Sequence, residues 1–205
     1  MPEPIRWDWS EPKRMRGLAS VEDHILWTYS LLSVSRHIMK CGKSGKPYPY
    51  LGGRTKAANI LMSSYQKQQR NIGTLDRDDA LAQDAASACA HCGCTAPRYH
   101  WDHLIPRSKL NGGYVALNQV RSCPRCNTSR GDRELMAWYR ANSTFPTLGV
   151  LRRYLKLCYF YSVQRGCLGQ PVEEALLTGL PFDPRELPRK FPPVEALVWD
   201  YGYPE

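Results

Sequence analysis

The sequence predicts an α+β protein in which a small finger of two strands and a helix is set between helical flanks. One observation is a set of helix-period apolar segments before and after the middle of the 205-residue chain. The other is the middle itself, where the patterns run strand, loop, strand, cysteine knuckle and helix. We therefore divide the chain into a helical region, 1–88, a core, 89–141, and a C-terminal region of helix and tail, 142–205.

The flanking helices are predicted from capping signals and hydrophobic period. Ser20 and the acidic residues Glu22 and Asp23 give an N-cap and first-turn signal, and apolar residues on nearly all faces follow to about Met39. This helix is expected to be buried centrally or in a subunit interface. Further helices are predicted over 54–70, 75–88, 147–165 and 172–177.

Two details of these flanks are specific expectations. Residues 41–46 are basic and contain two glycines, which predicts a flexible connection after the first helix. The helix over 147–165 is expected to turn its apolar stripe to the core and to keep three basic residues off that stripe, namely Arg152, Arg153 and Lys156.

Aromatic residues mark both ends of the chain. Trp7 and Trp9 are expected to pack an irregular N-terminal arm onto the domain, with base stacking as the rarer alternative. In the tail, 181–205, prolines are mixed with phenylalanine, tryptophan and tyrosine. That aromatic content favours a tail that wraps onto a surface.

Two cysteine pairs enclose the core. Cys89-x-x-Cys92 is followed about thirty residues later by Cys123-x-x-Cys126, the spacing of a closed, tetrahedral structural zinc site. The alternatives are two disulfides or four unrelated buried cysteines, and disulfides are less favoured because no secretory signal is recognisable. Cys94 fits the paired spacing poorly and is left outside the set.

Between and just after these pairs, polar residues recur in a fixed order. Asp102 and His103 end an aromatic run predicted as a strand, and a turn-like segment leads to a second run, 114–122, that carries Asn118. A helix is predicted over 128–140. The full pattern is Asp102-His103-x-x-Pro106, Gly112-Gly113, Asn118, Cys123-x-x-Cys126-Asn127 and Arg130-Gly131.

This pattern resembles the HNH endonucleases, whose core is the ββα-metal finger. The resemblance implies that His103 is the general base and that Asn118 orients it. It also implies that Asp102 and Asn127 hold a catalytic Mg²⁺ or Mn²⁺. These roles make chemical sense, because a neutral imidazole can accept a proton from water and an oxygen-liganded cation can stabilise charge on a phosphate.

Each of these residues, taken singly, also fits an ordinary structural role. A histidine in an aromatic strand is often a satisfied core residue, and His91 and His100 are assigned to that class. Aspartate and asparagine often cap helices or form turns. The order and spacing of the set, inside a zinc-stapled loop, favour the catalytic interpretation.

The charge of the chain indicates a polyanionic partner. The formal net charge is +9, and the core carries eight basic side chains against three acidic ones. Six of these basic residues are the candidate nucleic-acid contacts: Arg107, Lys109, Arg121, Arg125, Arg130 and Arg133. A solvated surface is the alternative for any one of them.

The sequence therefore predicts an endonuclease that hydrolyses DNA with a structural zinc ion and a catalytic divalent cation. RNA is not excluded as a substrate. We expect a cytoplasmic, prokaryotic or phage-encoded protein without a membrane anchor, serving restriction or anti-phage defence, with a homodimer or an activating protein as possible assemblies. The alternatives are a partner-activated nuclease subunit and a non-catalytic zinc module that binds nucleic acid.

Overall fold

A computed structural model describes residues 3–10, 17–45, 53–73, 88–110 and 116–201. Its helices are α1 (Val21–Lys43), α2 (Gly53–Gln66), α3 (Pro124–Arg130), α4 (Leu135–Ala141), α5 (Leu148–Gln164) and α6 (Val172–Leu177). Its strands are β1 (Ile5–Arg6), β2 (His100–His103), β3 (Gln119–Ser122) and β4 (Thr144–Phe145). The α+β class is confirmed, with β1 paired to β4 and β2 paired to β3 in two small antiparallel sheets.

Helix α1 begins where its capping signal predicts. The Ser20 hydroxyl accepts from the Asp23 backbone N–H at 3.2 Å, and the Asp23 carboxylate accepts from the Ser20 N–H at 3.2 Å. This reciprocal box satisfies two N–H groups that a helix start would otherwise leave unpaired. The helix continues to Lys43, so the connection predicted over 41–46 is corrected: its first three residues are the last helical turn.

The core of the flanks lies where α1 packs between α2 and α5. The helix predicted over 54–70 is confirmed, but it ends four residues earlier, at Gln66. Two of the three basic residues expected to lie off the apolar stripe of α5 are in fact buried, since Arg153 is 7% and Lys156 is 2% exposed. That expectation is corrected for these two residues. The Arg153 Nη1 donates to the Gln119 carbonyl at 2.8 Å, so this side chain joins α5 to strand β3 of the finger.

The central finger is an antiparallel pair of strands followed by two short helices. His100 pairs with Ser122 and His103 with Gln119. The single helix predicted over 128–140 is corrected to α3 and α4. Gly131, with φ of +52°, ends α3 in a conformation that glycine adopts without strain, and the Glu134 carboxylate caps α4 by accepting from the Ala137 N–H at 2.7 Å.

Aromatic residues in the described parts of the N-terminal arm and the tail are packed against the fold. The rings of Trp7 and Trp9 lie 6.2 and 5.6 Å from the ring of Phe145, and in the tail Phe182 and Phe191 are buried. The helix predicted over 75–88 lies outside the described residues except for Ala88. In the part of the chain that is described, no helix combines the length and the apolar character needed to cross a membrane.

Candidate functional site

The cysteines of the two knuckles converge on one cluster. The Sγ atoms of Cys89, Cys92, Cys94 and Cys123 all lie within 4.8 Å of one another. Four thiolates around one zinc ion stand about 3.8 Å apart, given Zn–S bonds of about 2.3 Å. The Sγ of Cys92 lies 3.4 Å from that of Cys94 and 3.9 Å from that of Cys123, so the cluster fits a zinc ion.

A fifth cysteine, Cys126, which the paired spacing predicts as a ligand, lies beside this cluster but is not one of the four whose sulfurs lie within 4.8 Å of one another. Its thiol is hydrogen-bonded to Cys89, and that bond is the main reason why the pKa of Cys89 falls to about 4. Burial raises the pKa of Cys94 to about 12. The backbone N–H of Cys126 also donates to the Cys123 sulfur at 3.4 Å, a contact that stabilises a thiolate. Five cysteine sulfurs are thus candidates for the four ligand positions of one zinc ion. Cys94 is the candidate that the paired Cys-x-x-Cys spacing did not predict.

Asp102 lies at the centre of a buried polar network behind β2. Its side chain accepts from the Arg130 Nε at 2.8 and 3.0 Å and contacts the His91 Nε2 at 2.9 Å. The His91 Nδ1 lies 2.7 Å from the Tyr139 hydroxyl. Burial raises the pKa of Asp102, but the His91 hydrogen bond and the Arg130 charge outweigh it, so the net pKa is lowered and Asp102 is ionised at neutral pH.

His103 lies on the opposite face of β2 from Asp102, because successive strand residues alternate. Its Nε2 lies 3.1 Å from the amide nitrogen of Gln119, its partner across the sheet. Burial lowers the pKa of His103, and the charge of Arg107 adds to that effect, whereas Asp102 opposes it. The imidazole is therefore neutral at pH 7, as a general base requires. In this arrangement the Gln119 amide donates to the one ring lone pair, at Nε2, so proton transfer to His103 requires that contact to open.

Asn118 is fully buried and binds the chain just beyond His103. Its Oδ1 accepts from the Ile105 N–H at 2.8 Å, and its Nδ2 donates to the Ile105 carbonyl at 2.7 Å. The Leu104 N–H donates to the Asn118 carbonyl at 2.9 Å. These bonds hold the backbone after His103, whereas the imidazole itself contacts Gln119. Asn118 thus acts on the backbone beside His103, and its role in orienting the imidazole stays a prediction.

Asn127 faces the same side of β2 as Asp102 but contacts a different residue. Its Nδ2 lies 3.3 Å from the His100 Nδ1, while Arg130, one turn further along α3, binds Asp102. Helix α3 therefore covers one face of β2 and leaves the His103 face uncovered by these contacts. The predicted set is brought onto one finger but is divided between the two faces of its first strand.

The family model described as HNH endonuclease matches residues 89–133. These residues form an HNH domain. The comparisons with curated proteins and with solved structures gave no match. An HNH domain indicates nuclease-type activity and nucleic-acid binding in general, HNH nucleases use divalent metals, and the four-cysteine cluster is compatible with a structural zinc ion.

The basic residues predicted to bind nucleic acid divide into surface and buried groups. Four of them are exposed, namely Arg107, Lys109, Arg125 and Arg133. Arg121 is half-buried, with its guanidinium 5.8 Å from the centre of the Trp101 ring, and Trp101 is 50% exposed. Arg130 is corrected: it is 1% exposed and paired with Asp102, so it supports the HNH domain from inside and does not present its charge to a phosphate.

The two residues predicted to hold the catalytic cation are of a suitable type, but both contact other protein side chains. A carboxylate and an amide oxygen are donors that Mg²⁺ accepts, and Asp102 and Asn127 supply them. Both Asp102 oxygens, however, accept from Arg130, and the residue is 4% exposed. A cation could bind Asp102 only after this ion pair had opened, so the arrangement described here is not itself a cation site.

Three functional candidates were not found from the sequence pattern. His91 had been assigned to the core, and it does lie there, but as a partner of Asp102. Gln119 contacts His103, a role that strand register reveals only once the hairpin is paired. Trp101 is exposed beside Arg121, and its position on the His103 face follows from the same alternation.

Proposed function

We propose that this chain is a metal-dependent endonuclease that hydrolyses DNA phosphodiester bonds, with His103 as general base. The observation that carries the proposal is the setting of His103: a neutral, partly exposed imidazole inside an HNH domain, held by Gln119 and close to the charge of Arg107. A nucleic-acid strand that reached His103 would lie near exposed basic side chains, on a finger held together by the cysteine cluster.

In the proposed reaction, water attacks the phosphorus atom while the His103 imidazole accepts one of its protons. The bond from phosphorus to the 3′ oxygen breaks, and that oxygen leaves as a hydroxyl after it gains a proton. The products are a 5′ phosphate and a 3′ hydroxyl. Mg²⁺ or Mn²⁺ would supply positive charge at the phosphate, and Asp102 and Asn127 would hold it only in an arrangement in which the ion pair between Asp102 and Arg130 has opened.

The protein side chains have separate tasks in this scheme. Asn118 fixes the backbone after His103, and Gln119 engages one ring nitrogen, so together they limit the positions of the imidazole. We assign phosphate contacts near it to Arg107, whose charge acts on His103, and to Arg121, which lies beside the exposed Trp101. The zinc ion serves folding, and we propose that Cys89, Cys92, Cys123 and Cys126 bind it, because the N–H contact of Cys126 completes the second knuckle.

A second candidate function is favoured by one observation. The ion pair between Arg130 and Asp102 occupies the carboxylate that a catalytic cation would need. A nuclease subunit that is silent until a partner opens this pair, or a zinc module that binds nucleic acid without cutting, would both show this arrangement. Restriction or anti-phage defence is the cellular role we propose, on the family resemblance, and paired cuts in duplex DNA would favour a homodimer.

Product chemistry tests the proposal. A duplex DNA labelled internally would be incubated with the parent, with His103→Ala and with Gln119→Ala, in Mg²⁺ and in Mn²⁺. We expect products with 5′ phosphates that a ligase can rejoin, a loss of at least about 100-fold for His103→Ala, and a smaller loss for Gln119→Ala. Binding of the duplex with no cutting under any condition would favour the silent module.

A further inference from the structure

A basic groove lies between α1 and α2, outside the HNH domain. Its volume is about 590 Å³, within the range of ligand-binding clefts. Five basic residues line it, namely Arg36, His37, Lys40, Arg70 and Arg152, and none of the described residues that line it is acidic. A cleft lined by charges of one sign concentrates counter-charged ligands, so its ligand should be an anion.

Two tyrosines are among the residues that line the groove. Tyr29 and Tyr65 lie with their ring centres 5.7 Å apart in an edge-to-face arrangement, and the Arg152 guanidinium lies 5.9 Å from the Tyr29 ring centre. Burial raises the pKa of Tyr65, while the charges of Arg70 and Arg152 act on it in the opposite direction. Tyr29 is 4% exposed, so the groove combines cations for phosphates with one partly exposed tyrosine ring, Tyr65, on which a base could stack.

The groove is connected to the predicted catalytic base through two neighbouring residues of α5. Arg152 lines the groove. Arg153, the next residue, donates to the Gln119 carbonyl at 2.8 Å, and the Gln119 side chain contacts His103. One rigid helix thus holds both the groove and the strand that carries the partner of His103.

We propose that this groove binds the sugar-phosphate backbone of the nucleic-acid strand that the HNH domain cleaves, on one side of the scissile phosphate. The inference rests on the proposed function, since the strand is that of the same substrate. It assigns a binding site to the helical flank, where neither the HNH pattern nor the family match extends. A free nucleotide shares the chemistry of a phosphate beside a base, and the test separates the two ligands.

The test measures binding without cleavage. Single-stranded DNA oligonucleotides of graded length, with a fluorescent label, are titrated with the His103→Ala protein in buffer without added Mg²⁺, at several salt concentrations. The groove variant adds Lys40→Gln and Arg70→Gln, two exposed residues that line the groove. The matched control adds Lys56→Gln and Lys67→Gln, two exposed lysines on and just after α2 that do not line it.

We expect the groove variant to lose about tenfold in affinity for long oligonucleotides and to lower the salt slope by about 1.4, because two phosphate contacts on a single strand are removed. The matched control should lower both quantities by much less. Short oligonucleotides that cover only the finger should bind both variants equally. Thermal unfolding at the parental temperature, and recovery of affinity by Lys40→Arg with Arg70→Lys, would separate charge from misfolding.

Equal affinities and slopes for the groove and control variants would overturn the proposal. So would a mononucleotide that displaces the long oligonucleotide from the groove and binds as tightly as the strand does, because the ligand would then be a nucleotide. Failure of the proposed nuclease activity is a separate outcome, since this binding assay uses a protein that lacks His103. A groove that fails while plasmid DNA is still cut leaves the HNH assignment intact.

Discussion

Arg130 and Asp102 form a buried ion pair that joins α3 to β2, with the Arg130 Nε 2.8 Å from one carboxylate oxygen and 3.0 Å from the other. The side chains are 1% and 5% exposed. A second donor, His91, lies on the same carboxylate. The charge of Asp102 therefore contributes to this ion pair inside the HNH domain, whereas the sequence pattern predicts Asp102 as a ligand of the catalytic cation.

Loss of Arg130 should destabilise the protein. Arg130→Met leaves the Asp102 charge buried without its main partner, and removal of one member of such a pair typically costs about 3–5 kcal/mol. Urea unfolding in zinc-containing buffer measures the change. Arg125→Met, an exposed position on the same helix, should change the free energy of unfolding by less than about 0.5 kcal/mol.

The double variant Asp102→Leu/Arg130→Met tests the cause. Because both charges are then absent, it should recover most of the stability lost by Arg130→Met. A double variant as unstable as the single one would contradict an electrostatic origin. An Arg130→Met protein as stable as the parent would show that the pair is not formed in solution.

Asn118 should support both folding and cleavage. Asn118→Ala removes two hydrogen bonds and leaves the Ile105 N–H and carbonyl buried without partners, which should cost about 2–4 kcal/mol. Asn71→Ala, at an exposed turn, is the control and should cost less than about 1 kcal/mol. If Asn118→Ala unfolds like the parent, the clamp on Ile105 carries no stability.

The zinc ligands can be separated by paired variants. We expect the parent to carry one zinc ion per chain, Cys126→Ser to lose it together with much of the fold, and Cys94→Ser to retain it. Elemental analysis of the purified proteins gives the zinc content, and thermal unfolding gives the stability. The opposite pattern would identify Cys94, which lies within 4.8 Å of Cys89, Cys92 and Cys123, as the fourth ligand.

Glu134 should make stability depend on pH. Burial raises its pKa in the folded protein, although the hydrogen bonds from Tyr154 and from the Ala137 N–H oppose that effect. The folded state therefore binds this proton more tightly than the unfolded state, and the stabilisation is present at acid pH and lost as pH rises through the folded pKa. Relative to the parent, Glu134→Gln should gain stability at pH 7 and lose that gain towards pH 4. The exposed Glu174→Gln should show no such trend.

Local signals in the sequence predicted much of this structure. The capping box at Ser20 and the gathering of the cysteines follow from spacing, because each depends on residues that close short loops or share one metal. The break at Gly131 was missed because the apolar residues that suggested a helix, Leu135, Met136 and Tyr139, all lie in α4, and nothing in their spacing shows that the helix begins only at Leu135. The cap from Glu134 becomes visible only in three dimensions.

Long-range partners account for the remaining differences. Arg130 looked like a surface cation because nothing in its own neighbourhood shows that Asp102, 28 positions earlier, would lie against it. Arg153 is buried because it reaches Gln119, 34 positions earlier. Such contacts depend on how the finger packs on the flanking helices, and hydrophobic period carries no information about that packing.

Plasmid cleavage is the most direct test of the central claim. Supercoiled DNA is incubated with the parent and with His103→Ala, each with Mg²⁺, with Mn²⁺ and with chelator, after both proteins are shown to be folded and to contain equal zinc. We expect nicked or linear DNA from the parent with either metal, none with chelator, and a rate at least about 100-fold lower for His103→Ala. Cleavage by His103→Ala at the parental rate would contradict this expectation.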